Sequence, residues 1–439
     1  MPDNVRLSPT RIPPTRAAGL AQLASFVPDA GRNYANQRNH DTGPHVAGTD
    51  GNTRRPHANV SGLSPYVRHR LITEQEIVTA VLAHHSLTAA EKFVQEVCWR
   101  TYWKGWLEMR PGVWRHYLDG LQRQRFSVSC DGELAARLAA AEAGETGIAC
   151  FDAWVSELVS TGYLHNHTRM WFASIWTYTL ELPWQLGADF FLRHLLDGDP
   201  ASNTLSWRWV VGLQTPGKTY LARADNIDTY TGGRFTPYGQ LATVAPPLEE
   251  NFDIGKPVKP SAARPVPPGK LMLLLTEDDL TPEDWPMSRD QVVAVAGLRT
   301  ADTYPGTSDA VVAFKQAALA DAIARSQARF HCPVLVLPAT GQLKDDGTVD
   351  PAPSLMALAQ KAGAAAIVSM GCPVGPTGDA VWPILNAMRT SGWDVAELRR
   401  PWDDLFWPHA TAGFFKLKEK IPTVLQRLDL GPQAELAFK

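Results

Sequence analysis

The chain has little cysteine, and none of it is spaced to hold a metal. Cys98, Cys130, Cys150, Cys332 and Cys372 form no CxxC pair and no ligand-like spacing with any of the 12 histidines. That argues against zinc and iron–sulfur sites and for reduced thiols in a cytosolic protein. No stretch reaches the ~18 uninterrupted apolar residues that a membrane span needs. The opening MPDNVRLSPTRIPPTR lacks the apolar core of a signal peptide, so a complete, cytoplasmic chain without a membrane partner is expected. GxGxxG and GxxxxGK[ST] are also missing, which removes the usual sequence marks of a dinucleotide fold or a P-loop. Strong charge of either sign is absent as well, the formal balance being −3. Lys and Arg nevertheless outnumber Asp and Glu over the first 125 residues, and the next hundred reverse the bias, so a basic face for a polyanion is retained.

Tryptophan is abundant, with 15 residues. Between Thr161 and Trp209 it is crowded among polar groups: His165, Asn166, His167 and Arg169, then Trp171, Trp176 and Trp184, then Asp197-Gly198-Asp199, then Asn203, Trp207 and Trp209. A plain helical core uses Leu, Ile, Val and Ala, and Trp is placed where its N–H finds a partner. So many indoles beside so many donors suggest a large flat cofactor with a polar rim.

The 439 residues are enough for two or three domains. A short helix is predicted over 17–26 and a loop over 32–59, rich in Gly, Asn, Asp and His. Ser61-Gly62-Leu63-Ser64-Pro65 reads as capping chemistry before a helix, where hydroxyls and free N–H groups can bind phosphate. Helical patterns run from Thr73 to Trp209, with breaks at Ser86, Pro111, a polar loop around Cys130 and Gly-containing turns at 144–147. Glu96, Trp99, Arg100 and Trp103 share one helix face. They either pair with one another at a surface or line a polar, aromatic cavity.

The Pro-dense stretch 245–270 reads as a linker. Beyond it short apolar runs at 271–275, 292–298, 334–338, 365–370 and 394–398 alternate with helical patterns at 309–328, 353–362 and 381–388. Strands apolar on both faces alternating with helices indicate a doubly wound, parallel α/β sheet. Gly371–Gly375 follows a strand and could touch a ligand, with a turn as the favoured reading. The predicted organisation is an all-helical region at 1–244, a linker at 245–270 and a Rossmann-like α/β domain at 271–439.

The stretch TGIACFDAWVSELVSTGYLHNHTRM (146–170), followed by DGDPASNTLSWRW (197–209), resembles the signature of the FAD-binding helical domain of the photolyase/cryptochrome family. KFVQEVCWRTYW resembles that family's Glu…Trp-Arg helix, SGLSP its phosphate-cradling turn, and Tyr34 with Arg38 its Tyr-x-x-x-Arg pair. The likeness covers roughly residues 15–225. Members usually carry an antenna α/β domain before the helical one, whereas here the antenna-like half follows the linker. Its last segment, PWDDLFWPHATAGFFKLKEKIP, is similar to the end of that antenna domain. The resemblance therefore implies a photolyase with its two domains exchanged in sequence, a circular permutation.

The resemblance implies FAD held by Tyr34, Ser61, Leu63, Ser64, Arg100, Asn166, Arg169, Asp197, Asp199 and Asn203. Asn203 would face flavin N5 and favour repair over signalling. It further implies a flipped lesion received by Glu96, Trp99, Asn166, Met170 and Trp209, with stacking walls from Trp99 and Trp209. DNA contacts would come from Arg38 and His167, the latter standing where many members have Arg. Asn166 and Met170 stand where (6-4) enzymes place His, so cyclobutane pyrimidine dimers are the expected lesion. Trp184 and Trp207 match two members of an electron relay, and no Trp lies between Arg115 and Glu145 to supply the third; Trp103, Trp106, Trp154 or Trp176 could substitute. The expected activity is blue-light-driven repair of ultraviolet-damaged DNA, single- or double-stranded, by a monomer. An antenna chromophore of folate or deazaflavin type would be a second cofactor. A cryptochrome-like photoreceptor and a redox or structural flavoprotein are the alternatives.

Overall fold

The structure, a computed structural model, describes residues 12–44, 46–47, 53–54, 56–301, 303–339 and 351–430. The first part is helical: α1 (Arg16–Phe26), α2 (Arg32–Gln37), a two-residue ladder of β1 (Val46–Ala47) and β2 (Thr53–Arg54), then α3 (Ser64–Arg68), α4 (Glu74–Leu82), α5 (Leu87–Glu108), α6 (Gly112–Cys130), α7 (Gly132–Ala143), α8 (Ala149–Thr161), α9 (Asn166–Ser174), α10 (Trp184–His194), α11 (Pro200–Val210) and α12 (Ala224–Thr231). Side-chain caps start many of these helices. Thr73 and Glu76 close a capping box on α4, Ser86 caps α5, Asp131 caps α7 and Asp199 caps α11. Each satisfies N–H groups that the first turn leaves without a helical partner.

Two local expectations are corrected. The polar segment around Cys130 is not a loop: α6 continues through it, and the break is the single residue Asp131, whose carboxylate takes the first N–H groups of α7. The loop predicted over 32–59 contains α2, and part of it lies outside the described residues.

The second part is an α/β unit. Its strands are β3 (Leu271–Leu275), β4 (Val292–Arg299), β5 (Val334–Pro338), β6 (Ala366–Met370) and β7 (Asp394–Leu398), all parallel in the order β5-β4-β3-β6-β7. Its helices are α13 (Asp309–Phe330), α14 (Ala352–Lys361), α15 (Pro376–Thr390), α16 (Pro401–Phe406), α17 (Phe414–Lys418) and α18 (Ile421–Arg427). Alternation along β3 explains the two-sided burial. Leu271, Leu273 and Leu275 join the core shared with the helical region and with Leu319 and Ile323 of α13. Met272 and Leu274 face a separate core with Leu355 of α14 and Leu385 of α15. The strand is therefore apolar throughout, as a central parallel strand must be. Residues 245–267 have no helix or strand and wrap the molecule, the Val258 N–H donating to Met109 O and the Arg264 N–H to Glu397 O.

Buried ion pairs join the two parts at the C-terminal end of β3. Arg70 contacts Asp403 at 2.7 Å and Asp279 at 3.5 Å, Arg400 contacts Asp279 at 2.7 Å, and Arg68 pairs with Asp278. Arg68 also donates from Nε to Gly198 O at 2.8 Å. Through Arg68, the segment that follows β3 thus braces the Asp197-Gly198-Asp199 turn.

Candidate functional site

Three elements meet around that turn. α9 carries Arg169, whose Nη2 donates to Asp197 Oδ2 at 2.8 Å while its Nε donates to Leu164 O. α5 carries Arg100, which lies 3.5 Å from Asp199 Oδ2 and donates to the Val67 and Arg68 carbonyls at the end of α3. α11 is capped by Asp199, whose Oδ1 accepts the Ser202 N–H. Burial alone would raise the Asp199 carboxyl, but Arg100, Arg68 and Lys104 hold it below the usual range. Gly162 makes the approach possible: its φ is +70°, and a Cβ there would lie 2.5 Å from Leu196 Cγ.

The same region leaves buried polar atoms without protein partners. They are Asp197 Oδ1, Ser202 Oγ, Trp207 Nε1, His165 Nε2 and Arg100 Nε. Buried polar groups are ordinarily satisfied, and this set of acceptors and donors on three neighbouring elements fits a polar-rimmed ligand such as FAD. Close to it, a cavity of about 210 Å³ is lined by His57, Val60, Gly62, Tyr66, Thr161 and Tyr163. Of the turn at 61–64, Gly62 lines this cavity and Ser61, Leu63 and Ser64 do not, and the serine cap expected there is not made. Leu63 occupies the cap position of α3 without a side-chain bond, and Ser61 Oγ accepts the Leu63 N–H one step earlier. Asn203 is buried and its Nδ2 donates to Ala188 O at 2.7 Å, which fixes the amide. Tyr34 packs edge-on against Phe26 and Phe93.

The residues expected to meet DNA are arranged differently. Glu96 forms an ion pair with Arg38 at 2.8 Å; burial raises its carboxyl, with Arg38 opposing. Trp99 is stacked under Phe414 of α17, with centroids 3.8 Å apart and planes at 11°. Trp103 lies 5.4 Å from it. His167 has both ring nitrogens engaged, Nδ1 3.0 Å from Asn39 O and Nε2 3.3 Å from Tyr220 Oη, and it stacks on Trp171. Burial pushes its imidazole down. Trp209 packs on Tyr220, Met170 is half-buried, and Asn166 is exposed at the start of α9.

Trp184 and Trp207 are both buried, on α10 and α11. Trp207 lies over Gly187, where a Cβ would meet its Cη2 at 2.3 Å, and Trp176 touches it at 6.3 Å. Beneath the small cavity, the His57 ring sits between Asp41 Oδ1 at 3.0 Å and Glu157 Oε1 at 2.9 Å. Sequence reasoning missed this bridge because its three members are scattered over three separate segments. A larger cavity of about 620 Å³ opens at the C-terminal ends of β3, β6 and β7, against the linker. Lys104, Glu108, Asp278, Cys372, Arg399 and Trp407 are among its lining residues. No group of His, Cys, Asp and Glu capable of holding a metal occurs among the described residues, and no described helix is long and apolar enough to cross a membrane.

Residues 93–240 match the model of the FAD binding domain of DNA photolyase. The chain is 32% identical over 162 residues to a deoxyribodipyrimidine photo-lyase of Alkalihalophilus pseudofirmus, covering 36% of this chain and 33% of that protein. It is 30% identical over 213 residues to the Escherichia coli protein of the same name, covering 47% and 41%. It therefore spans less than half the length of these curated relatives. Among solved structures, a bacterial class III photolyase from Agrobacterium tumefaciens aligns at 23% identity with a TM-score of 0.37, over 50% of this chain and 43% of that one.

Proposed function

The chain belongs to the photolyase/cryptochrome family, with its FAD-binding domain at residues 93–240 ahead of a parallel α/β sheet, and from that premise we propose a blue-light-driven flavoprotein that splits cyclobutane pyrimidine dimers in ultraviolet-damaged DNA. The observation that carries the flavin part is the set of unpartnered buried atoms at Asp197, Ser202, Trp207, His165 and Arg100. When bound, the flavin supplies the light-driven electron. The chain's own residues hold and orient it. Arg169 and Arg100 fix the Asp197 and Asp199 carboxylates; Asn203 would lie toward flavin N5, and Tyr34, Ser61, Leu63, Ser64 and Asn166 would help to hold the cofactor. Glu96 would hydrogen-bond the polar edge of a flipped dimer, with Trp99, Met170 and Trp209 as its walls, and Arg38 and His167 lie toward the strand.

For an antenna chromophore of folate or deazaflavin type, the 620 Å³ cavity between α5, the linker and the C-terminal ends of β3, β6 and β7 would be the place. The exchanged domain order is read as a permutation of the usual arrangement.

Stacking of Phe414 on Trp99 favours a second reading, a photoreceptor of cryptochrome type in which the lesion wall is permanently covered. The two separate in one assay. Reduced, FAD-loaded protein is incubated with an oligonucleotide carrying a thymine dimer, in blue light and in the dark. Loss of dimer in light alone supports repair. Intact dimers in single-stranded and duplex substrates alike sink it.

A further inference from the structure

The aromatic path leading away from Trp207 does not end on tryptophan. Trp207 rests on Gly187 of α10, and Trp184 sits one helical turn earlier on the same face. Trp184 packs on Tyr117 of α6, with centroids 5.7 Å apart and planes at 34°. The Tyr117 hydroxyl lies 3.4 Å from that of Tyr304, which follows β4 in the α/β unit. Tyr304 donates its proton to Asp189 Oδ1 at 2.7 Å, so in the Tyr117–Tyr304 contact Tyr117 is the donor. Asp189 is held in turn by Arg125 at 3.1 Å and Arg193 at 2.9 Å. All three members of this line are buried.

We propose that Tyr117 is the terminal electron donor for light-driven flavin reduction and that Tyr304, supplied by the α/β unit, passes its proton to Asp189. The proposal rests on the flavin reading above. With flavin bound, its excitation would supply the oxidant, and Trp207 and then Trp184 would carry the hole outward. One electron then leaves Tyr117 for the oxidised Trp184 ring, restoring Trp184. The Tyr117 O–H bond breaks and its proton moves to Tyr304 Oη as the Tyr304 proton moves to Asp189. Tyr117 is left as a neutral phenoxyl radical, and the proton ends on the carboxylate. An oxidised phenol is a strong acid, so a carboxylate paired with two guanidinium groups still accepts. Burial keeps both phenols protonated at rest by raising them. Without the Tyr304–Asp189 line a hole on Tyr117 would return to Trp184.

The test uses the full chain loaded with FAD, excited by a blue flash without added reductant and followed by time-resolved EPR and absorption. A long-lived tyrosyl radical is expected, forming more slowly in D₂O. Tyr117→Phe should lose it and leave a short-lived tryptophanyl radical. Tyr304→Phe should retain bound flavin but lose both the tyrosyl signal and the isotope effect. A long-lived tryptophanyl radical in the unsubstituted protein overturns the proposal, as does a tyrosyl signal that survives both substitutions, or bound flavin that yields no protein radical. A chain that takes up no flavin fails the underlying reading instead.

Discussion

Phe414 lies flat on Trp99, 3.8 Å between ring centroids and 11° between planes, although 315 positions separate them in sequence. The C-terminal part of α5 and the segment just before α17 are pinned there by two further bonds, Tyr102 Oη to Ala412 O and Arg110, just past α5, to Thr411 O. An aromatic ring therefore already occupies one face that a flipped base would use. Base–aromatic stacking is worth about 1–3 kcal/mol.

Phe414→Leu removes that ring at little cost in volume. If Trp99 is a lesion wall, affinity for dimer-containing single strands rises, by about 5-fold or more if ~1 kcal/mol of stacking is released. Fluorescence anisotropy at fixed salt reads the change. Unchanged affinity would mean that no base reaches Trp99 by that face.

The Arg100–Asp199 contact should hold the apoprotein as well as any cofactor. Asp199→Ala removes the α11 cap and leaves Arg100 short of a charge partner, so urea unfolding should show a loss of about 3–5 kcal/mol. A loss below ~1 kcal/mol would place this carboxylate outside the structural framework.

Stability should fall between about pH 6.5 and 9. His57 is buried, which alone would lower it, but Asp41 and Glu157 raise it to about 9. A group raised on folding contributes fully below its unfolded value near 6.5 and loses that contribution as pH climbs through 9, up to about 3 kcal/mol at ~1.4 kcal/mol per unit. The facing charges act beside it. Arg234 pairs with Asp41, which is held low and contributes with the opposite sign in acid, and His165 is pushed down to about 4 by burial. Glu157, raised by burial, loses its contribution in the same direction at lower pH. Thermal melts of His57→Gln should be flat across pH 6.5–9 where the parent declines. Parallel profiles would remove His57 as the cause.

Trp207→Phe should abolish flavin photoreduction and spare repair by chemically reduced protein, as steady-state absorption and dimer loss would record. Normal photoreduction would mean that electrons arrive by another route.

Much of this architecture was legible before the structure. LMLLL and AAIVSM announce buried parallel strands because both faces of each are apolar, and the Pro-dense 245–270 segment can hardly form either element. Ser86, Pro111 and Gly144 mark helix ends by their own backbone and hydrogen-bonding chemistry. The continuation of α6 to Cys130 was not legible, since FSVSC is mixed in polarity and mostly exposed and only Asp131 stops it. Contacts that join distant segments were equally hidden: Phe414 on Trp99, Tyr304 on Tyr117, and His57 between Asp41 and Glu157. The family likeness grouped Arg169 and Asp197 around one cofactor, and the structure pairs them; it did not anticipate the pairing of Glu96 with Arg38.

The central claim is that the unpartnered atoms at Asp197, Ser202 and Trp207 are completed by FAD. The direct measurement is flavin content of the full chain purified natively, then again with Asp197→Asn and Arg169→Ala. Near-stoichiometric FAD, released on unfolding and much reduced in both variants, is the expected result. A folded chain that carries no FAD and takes none up at micromolar concentration would contradict the account.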